Sequence, residues 1–263
     1  MKIVLITGAS SGLGAEFARQ LDKEVSGIDE FWLVARRKER MEELAQNLTH
    51  PARIFANDVR NRSLYECLEW QLTEECADIK ILVNNAGCGF NGFVTEQSSE
   101  KLIDVLDINC TAMTAITTLC IPFMKKGARI IHMASSAAYL PQPGFAAYAA
   151  SKSYVLNFSR ALGEELRSRG IYVTAVCPGP VDTPFFERAE TNGQTLALKK
   201  NFSVSPEWVV RDALTAAKKR KTVAVCSVPM KLFRILCKIV PHSWILEFVE
   251  NYDKESAEKD GNE

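Results

Sequence analysis

The amino-acid sequence predicts a single α/β domain, doubly wound, with a parallel sheet of about seven strands and helices on both faces. Three observations predict it. Short β-branched runs alternate with longer helical patterns along the chain, the order expected when each strand is followed by a crossover helix. Most of the strand runs are continuously apolar rather than alternating, which implies burial on both faces, as in a parallel sheet covered by helices. A glycine-rich stretch, "TGASSGLG", stands directly between the first strand and the first helix.

The elements follow in order. "KIVLIT" (2–7) reads as a strand, and a helix runs from about Gly12 to Lys23. "EFWLVA" (30–35) is the second strand, followed by the charged helix "RKERMEELAQNL". "RIFAND" (53–58) precedes a helix from about Ser63 to Cys76. "IKILVNN" (79–85) is followed by helical patterns from Glu100 to about Lys125. "ARIIHMAS" (128–135) leads to a helix from about Ala146 to Arg169. "IYVTAVC" (171–177), a helix from about Pro206 to Lys219, and "TVAVCS" complete the domain, expected to span 1–227. No internal repeat or Pro/Ser-rich linker divides it.

Residues 228–251 form an extension. Leu232, Phe233, Leu236, Ile239 and Val240 recur at helical spacing, Lys231, Arg234 and Lys238 give a basic side, and Pro241 limits the helix to about three turns. It reads as packed on its own domain or a partner subunit, as a lid over a pocket, or as lying on a membrane surface. Stripes at this spacing commonly bury on protein, which favours packing or a lid. The tail, 252–263, is charged, nearly devoid of apolar residues, and expected to be disordered.

Composition narrows the function. With 32 basic and 32 acidic residues among 263, formal net charge is +0, which argues against a nucleic-acid partner. The 8 cysteines show no Cys-x-x-Cys pair and no zinc-ligand spacing, so no metal is expected and a reduced, cytoplasmic setting is. The apolar run of "MKIVLITGAS" stops at Thr7-Gly8, too soon for a signal-peptide core, and no uninterrupted apolar stretch approaches the ~20 residues that span a bilayer.

Two clusters carry chemistry. Gly8, Gly12 and Gly14 form a strand-to-helix turn whose amides can approach a pyrophosphate at a helix N-terminus. At the end of the second strand, where a ribose-binding acid is common, Ala35 is followed by Arg36 and Arg37; guanidinium groups suit a 2′-phosphate, so NADP(H) is expected over NAD(H). The bland alternative is that both arginines open a solvated helix face with Lys38 and Arg40. The second cluster is "FAAYAASK", which sets Tyr148 and Lys152 four residues apart on one helix face. An ammonium ~5 Å from a phenol, at an effective dielectric of ~20, favours the phenolate by about 3 kcal/mol, lowering its pKa towards ~8. A surface Tyr–Lys pair is equally compatible with that spacing alone.

Taken together these residues resemble the short-chain dehydrogenase/reductase family, from Met1 to about Thr183. "TGASSGLG" resembles its TGxxxGxG fingerprint, "NNAG" (84–87) the motif closing its fourth strand, and "YAASK" (148–152) its YxxxK. Ser135 stands thirteen residues before Tyr148, the family's spacing for a catalytic serine, and Asn109 in "LDINCTA" matches the family's helix asparagine. The resemblance implies a Rossmann-type fold, an alcohol/carbonyl oxidoreductase, and no metal. Tyr148 would exchange the proton, Lys152 would lower its pKa and bind the nicotinamide ribose, Ser135 would hold the substrate oxygen, and Asn109 would support a proton-relay water. The cofactor would lie along Gly8, Ser10, Ser11, Gly12, Leu13 and Gly14, then Arg36, Arg37, Asp58 and Val59. Beyond these it would meet Asn85, Ala86 and Gly87, with Val181 and Thr183 of "PGPVDT" (178–183) at the carboxamide.

The long aperiodic segment 183–202 carries Phe185, Phe186, Leu196, Leu198 and Phe202. With Cys88, Phe90, Phe93, Tyr139, Leu140 and Phe145 it predicts an apolar alcohol/ketone pair, lipid-, steroid- or aromatic-like. Helices around 100–125 and 146–169 are apolar beyond one stripe, and with the resemblance they imply a homodimer or homotetramer. The competing class is a non-enzymatic NADP(H) sensor or scaffold on the same fold.

Overall fold

A computed structural model describes residues 1–185 and 203–247. Its strands are β1 (Lys2–Thr7), β2 (Glu30–Ala35), β3 (Ala52–Ala56), β4 (Asp78–Asn84), β5 (Arg129–Met133), β6 (Tyr172–Val176) and β7 (Val223–Ala224). They form a 7-stranded sheet in the order β3-β2-β1-β4-β5-β6-β7, with parallel pairing throughout. The chain leaves β1 towards β2 and β3, then returns to β4 on its other side. That reversal opens a crevice at the carboxyl ends of β1 and β4, where α/β sheets hold ligands.

The helices are α1 (Gly12–Glu24), α2 (Lys38–Gln46), α3 (Arg62–Glu74), α4 (Ser99–Leu106), α5 (Met113–Cys120), α6 (Ala146–Glu165), α7 (Pro206–Lys218) and α8 (Val228–Ile239). The unbroken apolar strands serve two cores. Val4 and Ile6 of β1 face one layer, packed on Phe17 and Leu21 of α1, Met41 of α2 and Val210 of α7. Ile3 and Leu5 face the other, packed on Leu64 and Leu68 of α3, Ile116 of α5 and Leu162 of α6. Alternate side chains thus enter opposite layers, so Ile3 to Ile6 are apolar at every position.

Several boundaries differ from the sequence expectation. β3 and β5 stop at Ala56 and Met133, leaving Asp58 and Ser135 just beyond the sheet. β7 keeps only Val223 and Ala224, because β6 is its single partner and pairs with it at Ala175 and Val176. The helix expected over 100–125 is divided: α4 and α5 flank a turn, Asp107–Ala112, wound to π geometry. Such a turn re-aims one residue at a functional position, here Asn109, and periodicity does not reveal it. The helical run 99–123 reaches the length and apolarity of a membrane span, yet Ile116, Thr117 and Cys120 are buried in the domain.

The extension also departs from its expected stripe. Ser227, at φ 79°, caps α8 by accepting from the Met230 amide, and Pro229 occupies its first turn. Phe233, Cys237 and Val240 pack inward with Leu140 and Ile245. Leu232, Leu236 and Ile239, expected on that same buried stripe, are exposed. The reason is angular: at about 100° per residue, 232 and 239 lie nearly opposite residue 237, and 236 lies about 100° from it. Phe186, Leu196, Leu198, Phe202 and the tail 252–263 lie outside the described residues.

Candidate active site

Close backbone packing builds the first wall. Gly8 has φ +67°, and a Cβ there would stand 2.8 Å from Asn85 Nδ2 and 2.9 Å from the Ala86 backbone. A Cβ on Gly14 would overlap the Gly8 carbonyl oxygen. Only glycine fits either place. Asn85 Nδ2 donates to the Thr7 and Gly8 carbonyls, both at 3.2 Å, and Thr7 Oγ1 accepts from the Asn85 and Ala86 amides at 3.0 and 3.1 Å. The glycine turn and the "NNAG" segment are therefore one interlocked unit. Ser11 precedes α1 without a side-chain capping bond, so the helix's first amides are left for another acceptor.

Gly8, Ser10, Ser11, Gly12, Leu13, Arg36, Arg37, Asp58, Val59, Asn85, Ala86, Gly87, Val181 and Thr183 all line one cleft of about 370 Å³. Gly14 stands behind it, supporting the Gly8 turn. Arg37 donates to Ser10 Oγ and Ser11 Oγ at 2.9 and 2.7 Å, while Arg36 stands 3.9 Å from Asp58 Oδ2. Asp58 takes two bonds from the Arg60 guanidinium, 3.1 and 2.8 Å, and Arg60 also reaches Asp104. The Arg60 bonds hold the Asp58 carboxyl below the usual carboxylate range. The glycine cradle and open helix N-terminus fit a pyrophosphate, and two guanidinium groups with two hydroxyls fit a further phosphate.

The far end of the same cleft holds Ser135, Tyr148 and Lys152. β5 ends two residues before Ser135, and α6 carries Tyr148 and Lys152 in its first two turns. Ser135 Oγ accepts from the Ala137 amide at 3.2 Å, and its hydroxyl works to lower the Tyr148 pKa. The Tyr148 ring stacks on Phe145 at 4.3 Å and tilts against Phe185 at 5.5 Å. Lys152 Nζ lies 5.5 Å from the centre of that ring and donates to the Met133 carbonyl at 2.8 Å. Gly89 makes room for this stack, since a Cβ there would stand 2.8 Å from both Phe145 and Tyr148.

The protonation pattern differs from the expectation of a phenol near pKa ~8. Burial pushes Tyr148 up to about 12, against the opposing Ser135 hydrogen bond. Burial pushes Lys152 down to about 8. The ammonium meets the ring face and spends a donor on Met133, so loss of hydration outweighs charge attraction.

Asn109 is buried, and its side chain is committed. Nδ2 donates to the Cys88 carbonyl and to Ser151 Oγ, both at 2.9 Å, and Oδ1 accepts from the Cys88 amide at 2.9 Å. It fixes the strand-end loop to α6 beneath the cleft. Among the expected substrate residues, Cys88, Phe90, Phe145 and Phe185 line the cleft. Phe93 is exposed, whereas Tyr139 and Leu140 pack beneath α8, so these three do not form its wall. Proximity in sequence to the motifs misplaced them.

Sequence reasoning missed Gln142 in the lining, and the Met133 carbonyl that anchors Lys152. It also missed His132, buried behind the site between Thr117 Oγ1 (3.1 Å) and Ser159 Oγ (2.8 Å). A lone histidine in an apolar strand carries no local signal of such partners.

A cleft with a phosphate cradle at one end and a serine–tyrosine–lysine set at the other defines a class of nucleotide-dependent oxidoreductase. The chain belongs to the short-chain dehydrogenase family, whose model matches residues 2–194. It is 36% identical over 191 residues, 70% of this chain and 72% of the other, to a putative ketoacyl reductase of Streptomyces coelicolor. It is 31% identical over 189 residues to the human inactive hydroxysteroid dehydrogenase-like protein 1, covering 68% of this chain and 56% of that protein. A short-chain dehydrogenase from Sphingobium yanoikuyae in complex with NADPH superposes with TM-score 0.76 at 26% identity, covering 97% of this chain and 96% of that one.

Proposed function

We propose that the protein is an NADP(H)-dependent oxidoreductase that interconverts an apolar alcohol and its ketone or aldehyde, with Tyr148 as the acid/base. The observation carrying this reading is the arrangement of one cleft. Ser135, Tyr148 and Lys152 converge at one end, and Ser10, Ser11, Arg36 and Arg37 gather at the other.

The bound nicotinamide cofactor would supply or accept the hydride. The chain's own residues would manage the oxygen and its proton. Ser135, which lines the cleft with Tyr148, would hold a substrate oxygen beside the phenol. Raised by burial, Tyr148 keeps its proton across neutral pH, which suits donation to a carbonyl oxygen. Lys152 would stabilise the phenolate left behind and hold the nicotinamide ribose; its bond to Met133 fixes where that charge stands. Asn109, carried on the π-wound turn, would support a proton-relay water. Arg36 and Arg37 would receive a 2′-phosphate, which favours NADPH over NADH.

Phe90, Phe145, Phe185 and Cys88 supply an apolar wall around the reacting end, the basis for a lipid-, steroid- or aromatic-like substrate. The proposal extends to a cytoplasmic location, which 8 free cysteines support, and to a homodimer or homotetramer. Exposed Ile103 and Leu106 of α4 and Tyr154 of α6 support that assembly, and a solution mass checks it.

The test is turnover of a broad carbonyl panel with NADPH and with NADH. Tyr148→Phe should lower kcat about 10³-fold while leaving NADPH affinity within about twofold. A strong NADH preference, or polyols and sugars as the best substrates, refutes the cofactor or substrate assignment. One relative is described as inactive, which favours keeping a second reading, an NADP(H) sensor or scaffold. Tight NADPH binding without turnover of any carbonyl would establish it.

A further inference from the structure

The exposed face of α8 is inverted relative to a helix on a water-soluble surface. Val228, Leu232, Ile235, Leu236 and Ile239 fall within an arc of about 100° and are 65%, 62%, 53%, 45% and 75% exposed. The opposite arc, through Met230 and Cys237, already packs on the domain. The helix therefore has an anchored side and a second apolar side left bare. Trp244, beyond Pro241, is a further exposed apolar residue at 68%.

Charge distinguishes the possible occupants. Lys231 and Lys238 are exposed along one flank of the apolar arc, and Arg234 lies over the Tyr139 ring at 5.8 Å. No acidic residue occurs from Val228 to Leu246, although the whole chain balances 32 basic against 32 acidic residues. A self-complementary interface would place like charges near one another. Lysines flanking an apolar face, with an exposed tryptophan beyond Pro241, suit a surface that is apolar inside and negative at its rim.

We infer that the outer face of α8 docks on the surface of an anionic phospholipid bilayer, lying in the headgroup region without crossing it. Leu232, Ile235 and Ile239 enter the acyl boundary while Lys231 and Lys238 extend to the phosphates. Met230 packs against Gly179, which lines the cleft, at what would be 3.0 Å from a Cβ there. Docking thus holds that wall of the cleft about one helix diameter, ~10 Å, from the lipid. The inference does not depend on which substrate the cleft takes.

The test is flotation of the full-length protein with phosphatidylcholine vesicles, with and without phosphatidylserine. The expected result is binding that requires phosphatidylserine and weakens with salt. The double variant Lys231→Gln/Lys238→Gln should lose roughly 30-fold in vesicle affinity. Leu232→Ser/Ile239→Ser should lose comparably, with unchanged thermal unfolding because both side chains are already in water. A vesicle-induced blue shift of tryptophan emission, absent in Trp244→Phe, reports the contact directly. Failure to bind phosphatidylserine vesicles, or binding unchanged in both variants, overturns the inference. So does a concentration-dependent dimer that Leu232→Ser/Ile239→Ser dissolves, which would assign the face to a second copy of the chain.

Discussion

Replacing Lys152 by methionine should make the protein more stable at neutral pH while removing its activity. Lys152 is 5% exposed, and burial lowers its pKa from 10.5 to about 8. At about 1.36 kcal/mol per unit, keeping this group charged costs the folded state about 3 kcal/mol at pH 7. Methionine fills similar volume without charge. It forfeits the hydrogen bond to the Met133 carbonyl, about 1 kcal/mol, leaving a net gain of about 2 kcal/mol. The sign follows from proton counts. The unfolded chain binds the extra proton between pH 8 and 10.5, so the wild-type penalty is complete below 8 and is relieved as pH rises. Urea unfolding of both proteins at pH 7 and pH 10 measures it. The variant's advantage should shrink by about 2.5 kcal/mol between pH 7 and 10, whatever the lost hydrogen bond costs. Taking the difference between the two proteins cancels the buried thiols, which titrate in the same range. A variant less stable at pH 7, with a gap independent of pH, would show that Lys152 keeps an ordinary pKa and that the site is not dry.

Three further changes probe other parts of the cleft and core. Arg36→Ala should weaken NADPH about tenfold and leave NADH within about twofold, measured by fluorescence titration; equal losses for both cofactors would remove Arg36 from the 2′-phosphate site. Gly14→Ala forces a Cβ into the Gly8 carbonyl, backbone against backbone, and should cost about 1–3 kcal/mol in denaturant unfolding together with loss of cofactor binding. Asp22 is buried, which works to raise its pKa, but bonds from Thr49 and His50 prevail and lower it from 3.8 to about 2. That stability, about 2 kcal/mol, is present above pH 4 and lost as pH falls through 2, so Asp22→Asn should be weaker at pH 7 and equal to wild type near pH 2.

The fold was legible because its signals are local. Ile3 to Ile6 must be apolar at every position to serve two layers, and that continuity is visible without coordinates. The glycine turn and the Tyr148–Lys152 spacing were legible for the same reason. What escaped depends on contacts distant in sequence. Phe185, remote in sequence, tilts against the Tyr148 ring, and the burial that raises the phenol's pKa is not contained in the Tyr148–Lys152 spacing. Helical periodicity found α8 but not which apolar side faces outward, since both of its sides are apolar. The π-wound turn at Asn109 is set by its bonds to Cys88 and Ser151, residues 21 and 42 positions away.

His132 carries the clearest case of long-range design behind the site. It precedes Met133, the anchor of Lys152, and joins β5 to α5 through Thr117 and to α6 through Ser159. Both hydroxyls can give their protons to helix carbonyls, Thr117 to Met113 and Ser159 to Val155. They would then accept two N–H bonds from the ring, but a neutral imidazole has one. One hydroxyl must turn and donate to the ring instead, because burial drives the His132 pKa from 6.5 to about 3 and keeps the ring neutral. In the unfolded chain it protonates near 6.5, so wild-type stability falls as pH drops below that value. The loss reaches about 2 kcal/mol by pH 5. His132→Leu abolishes this slope. At pH 7 it should cost about 1–3 kcal/mol for the broken hydrogen bonds, and by pH 5 most of that deficit should vanish. Unfolding curves of both proteins at pH 7 and 5 give the comparison, and NMR titration of the imidazole gives the pKa directly. A native-state pKa near 6.5 would mean that the ring accepts its proton inside the fold, and the deficit would then stay constant across that range.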